Sequence, residues 1–125
     1  MKIEVSVGEI IDKLTILEIK KINITNTNKL LNVNKEYNYL SDIVENKLNF
    51  SRSSDQYIQL FDVNKKLWDI EDKIRNKERL KLFDDEFIEL ARSVYLTNDE
   101  RSKIKKRIND ISGSNFSEEK SYEKY

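Results

Sequence analysis

The chain has 125 residues, 38% apolar and 37% charged, with 23 Lys and Arg balanced by 23 Asp and Glu. It has no Cys and no His, which excludes disulfide frameworks, zinc-thiolate sites, thiol nucleophiles and the imidazole proton shuttle. The balanced charge supplies no overall field towards nucleic acid or an anionic membrane, and with no Pro and only two Gly little interrupts a helix or builds hairpin turns.

The length suits one hydrophobic core, so residues 1–125 are expected to form a single helical domain. The expected fold is all-α: a compact bundle of four or five helices with antiparallel helical hairpins. No uncharged apolar run approaches the roughly 20 residues needed to span a bilayer, and MKIEVSVGE lacks the layout of a secretion signal. A soluble cytoplasmic protein that makes no use of a membrane is the expectation.

In chain order, residues 3–6 alternate like a short extended lead-in, and Ser6-Val7-Gly8-Glu9 fits a capping box that starts the first helix. Ile10, Ile11, Leu14 and Leu17 make one face of it, with Ile16 and Ile19 nearly opposite, so this helix should be packed on two sides. Asp12 and Thr15 then fall among apolar residues, where a carboxylate needs a partner or a ligand. The structural partner would be Arg75, Arg92 or a Lys.

The polar run TNTN ends that helix, with Asn26 or Asn28 as the next cap. Leu30, Val33, Tyr37, Leu40 and Val44 step by three and four, predicting a second helix to about Leu48, antiparallel to the first because the connection is short. The Ser-rich stretch from Asn49 to Asp55 reads as a loop whose last Ser or Asp caps a third helix running to about Leu80.

That third helix carries the most strongly marked stretch, NKKLWDIEDKIRNKE. At about 100° per residue, Leu60, Val63, Leu67, Ile70 and Ile74 form a stripe, and Asn64, Trp68, Glu71, Arg75 and Glu78 a row along its edge. Asp12, Asn64, Glu71 and Arg75, joined by Arg92, are expected to converge into a partly buried polar network, with Trp68 beside them as a core anchor or, alternatively, a stacking platform.

An acidic turn, Phe83-Asp84-Asp85-Glu86, starts a fourth helix through Phe87, Leu90, Ala91, Val94 and Tyr95. Thr97-Asn98-Asp99-Glu100 resembles a second capping box and predicts a fifth helix with Ile104, Ile108 and Ile111 on one face, ended by Gly113. The tail from 113 to 125, with Phe116, Tyr122 and Tyr125, is either flexible or docked.

Catalysis without His or Cys would rest on carboxylates and Mg²⁺, a hard cation suited to oxygen ligands. Glu9 and Asp12 are the candidate metal ligands; Glu71 with Asp72, and Asp85 and Glu86 with Glu89, are the other acidic clusters. The order of these clusters differs from the paired motifs of all-α nucleotide pyrophosphohydrolases. Arg101, Lys103, Lys105, Lys106 and Arg107 form a short basic cluster with no phosphate loop or interleaved aromatics, so it reads as a solvated helix face and nucleic acid ranks last among partners.

VGEIIDKLTILEIK, NKKLWDIEDKIRNKE, FIELARSVYLTNDERSKIKKRIN and the closing GS with EEKSY together resemble a small helical family of bacteria and phages that carries only a domain-of-unknown-function label. The resemblance covers nearly the whole chain and implies one compact fold without implying any chemistry. The expected function is that of a non-catalytic helical module binding a protein partner or itself, with Tyr37, Tyr39, Tyr57 and Tyr95 as contact surface and no cofactor. The alternative is a Mg²⁺-dependent enzyme acting on a nucleotide or a phosphorylated sugar.

Overall fold

A computed structural model describes residues 1–114, which form four α-helices and no strand: α1 (Val7–Asn23), α2 (Thr27–Asp42), α3 (Asp55–Leu80) and α4 (Asp85–Ser112). Phe116, Tyr122, Tyr125 and the EEKSY string lie outside the described residues. Among the described residues, no helix is long and apolar enough to cross a membrane.

Each helix begins where a short polar side chain can take up its free amides. Ser6 Oγ accepts from the Glu9 N–H at 3.2 Å, Asn26 Oδ1 from Lys29 at 3.0 Å, Ser54 Oγ from Tyr57 at 3.3 Å and Asp84 Oδ1 from Phe87 at 3.0 Å. Past Asp42 the second helix winds on to Lys47 as a π-helical turn, Ile43–Lys47, which keeps Val44 fully buried. α3 ends with Lys81 in the left-handed region, φ 55°, and α4 with Gly113, φ 64°.

The expected fifth helix is the second half of α4. Thr97-Asn98-Asp99-Glu100 lies inside one unbroken helix, with Thr97 buried at 1% exposure. The capping pattern fails here because no Pro or Gly interrupts the backbone, and the burial of Thr97 within the helix outweighs the weak helix propensity of the four residues. Ile104 and Ile108 reach the core, but Ile111 is exposed.

α1 packs against each of the other three helices, and α3 and α4 form the most extensive helix pair. The core consists of Ile11, Leu14, Val44, Tyr57, Leu60, Ile104 and Ile108, supplied by α1, the π-helical turn, α3 and α4, with Tyr37 and Leu40 of α2 packed against it. At about 1.5 Å per residue α1 is about 25 Å long, whereas α3 and α4 reach about 39 and 42 Å. The α3–α4 hairpin therefore outruns the helix that covers it.

Candidate functional site

Two regions hold the functional candidates: a buried polar network where α1 meets α3 and α4, and the α3–α4 arm beyond it. The network exists because Asp12 and Thr15 follow the buried Ile11 and Leu14 on a helix that is enclosed from several sides. Asp12 is 2% exposed, and its Oδ1 accepts from Asn64 Nδ2 at 2.8 Å and Arg101 Nε at 2.9 Å. Its Oδ2 accepts from Arg101 Nη2 at 2.5 Å, making the guanidinium contact two-pronged. Asn64 Nδ2 also donates to Thr15 Oγ1 at 2.8 Å, and that hydroxyl donates to the Asp12 carbonyl at 2.7 Å.

Lys105, buried on α4, lies between two acids, 2.8 Å from Glu9 Oε2 and 3.9 Å from Asp12 Oδ2. An ammonium thus occupies the position between the two expected metal ligands, and Glu9 uses its carboxylate there. One turn further along α4, Asn109 Oδ1 accepts from the Gly8 N–H at 2.7 Å. A methyl group on Gly8 would lie 2.6 Å from the Lys105 carbonyl oxygen, so only glycine allows α1 and α4 this close. Among the described residues no buried side-chain nitrogen or oxygen lacks a partner, and no three acidic groups are placed to hold a metal ion.

Of the polar residues singled out from the sequence, Asp12 and Asn64 are in direct contact. Glu71 and Arg75 pair with each other at 3.3 Å on the surface, and Arg92 pairs with Glu89 at 3.8 Å away from Asp12. Arg101 and Lys105 meet Asp12 in place of Arg75 and Arg92. Both were legible as candidates: Arg101, Lys105 and Asn109 recur every four residues beside Ile104 and Ile108, the same edge-of-stripe pattern that picks out Asn64 and Trp68 on α3. Reading the cluster as a solvated face missed this.

Trp68 is half-buried and stands outside the main core, in an open groove of about 490 Å³. Ile16 of α1 forms one wall; Leu67, Trp68, Glu71 and Arg75 of α3 and Asn98 and Arg101 of α4 form the others. Of the tyrosines, Tyr57 is buried and donates to Glu18 Oε2 at 2.7 Å. Burial first, and then the bond to Glu18, push its hydroxyl pKa well above the ordinary tyrosine value. Tyr37 is half-buried under Lys21, whose Nζ sits 3.9 Å from the ring centre, and it accepts from Arg52. Tyr39 and Tyr95 face solvent.

Beyond the groove, no residue from Glu71 to Leu96 is buried. Leu80, Leu82, Phe83 and Ile88 are 57%, 45%, 55% and 52% exposed. The turn is nonetheless ordered by specific contacts: Lys77 Nζ lies 2.8 Å from Asp84 Oδ2 and 3.2 Å from Glu86 Oε2, and the Phe83 and Phe87 rings meet edge to face at 5.2 Å. The hydrogen bond from Lys77, followed by the Phe87 N–H, holds the Asp84 carboxyl below the usual carboxylate range.

A family model described as a family of unknown function, DUF6165, matches residues 1–125, so the chain belongs to that family. No curated protein and no solved structure matches it.

Proposed function

We propose that this member of a family of unknown function is a non-catalytic helical module that binds a protein partner, or another copy of itself, through the α3–α4 arm. The observation that carries the reading is the run from Glu71 to Leu96, in which nothing is buried although Leu80, Leu82, Phe83 and Ile88 are about half exposed. Two antiparallel helices alone can bury only the stripe each turns to the other. Contiguous apolar residues left outside that stripe mark a surface that another chain covers, at a gain of about 25 cal/mol per Å² of apolar area removed from water. Ion pairs and an aromatic contact order the turn at the end of the arm, so a partner would meet a preformed surface.

Five of the acids offered for the catalytic alternative have structural occupations: Glu9 is paired with Lys105, Asp12 with Arg101, Glu71 with Arg75, Glu86 with Lys77 and Glu89 with Arg92. The test is gel filtration with light scattering at several concentrations, alongside affinity capture from lysate, for the wild type and for a Phe83→Ser/Ile88→Ser variant. Association that the double substitution weakens is the expected result. A strict monomer that captures nothing overturns the reading.

A further inference from the structure

We draw no further inference here: the strongest candidate, the open groove beside Trp68 at the foot of the α3–α4 arm, sets the acids Glu71 and Asp72 against Arg75 and Arg101 around its apolar floor, so its lining selects no class of ligand, and nothing in the structure shows what covers it.

Discussion

Replacing Asp12 with Asn tests the network at its centre. The carboxylate is 2% exposed and accepts three hydrogen bonds, from Asn64 Nδ2 and from Arg101 Nε and Nη2. The substituted amide keeps one acceptor oxygen but turns an N–H₂ donor towards groups that are donors themselves. Breaking one partner of a buried ion pair typically costs about 3–5 kcal/mol. The Arg101 side chain is 27% exposed and can turn partly to water, and Lys105 keeps Glu9 at 2.8 Å, so the lower end of the range, about 3 kcal/mol, is expected. For a domain of this length that corresponds to a fall in Tm of about 10–15 °C. Urea unfolding measures it directly, as a shift in midpoint at unchanged slope. Asp12→Leu combined with Arg101→Met, which removes both charges, should recover most of the loss, because the cost lies in stranding one charge more than in lacking the pair. A loss below about 1 kcal/mol for Asp12→Asn would show that the contact is not the buried pair described here.

Two further outcomes follow from the contacts of α1. Gly8→Ala should destabilise by about 1–3 kcal/mol in denaturant unfolding, because the added carbon meets a backbone carbonyl at 2.6 Å that cannot swing aside; a neutral or stabilising result would mean that α1 and α4 separate freely. Tyr57→Phe should cost about 1–2 kcal/mol at neutral pH through its lost bond to Glu18. It should also flatten the alkaline limb of the stability curve. The folded-state pKa of Tyr57 is raised, so its contribution is complete below the ordinary tyrosine value of about 10 and is lost at higher pH, where the unfolded chain ionises and the folded one does not. Equal pH dependence in the wild type and Tyr57→Phe above that value would refute the assignment.

Local chemistry was the most legible part of the fold. Ser6, Asn26 and Ser54 cap helices because a short side-chain oxygen next to free amides does so regardless of what lies across the domain. Thr97-Asn98-Asp99-Glu100 has the same local form, but the helix runs through it, since a capping pattern starts a helix only where the preceding one has a reason to stop. In the site, a buried Asp12 was readable from two-sided amphipathicity, and its bond to Asn64 from the polar edge of the third helix. Its cation was not. Arg75 and Arg101 are both arginines beside an apolar stripe, and choosing between them requires knowing how far along the hairpin α1 crosses, a long-range register that periodicity within single helices does not contain. The exposed arm was hidden for a related reason: its apolar residues have core-like spacing, and only the lengths of α1, α3 and α4 taken together show that the covering helix runs out.

Because α4 has no proline or glycine between Asp85 and Ser112, it acts mechanically as one beam, loaded at its free end and clamped near the other. The clamp consists of Arg101 on Asp12, Lys105 on Glu9 and Asn109 on Gly8, three attachments spaced one turn apart on α4 and all made to α1. From Arg101 to Asp85 the overhang is about 24 Å, so a tilt of about 10° at the clamp would carry the tip about 4 Å sideways. Conversely, whatever seats itself at the tip holds a lever whose short end is ion-paired. A force too weak to unfold the hairpin would be felt first as torque on the Arg101 guanidinium, and the stiffness of the free end is set by three side chains about 24 Å or more from the tip they steady.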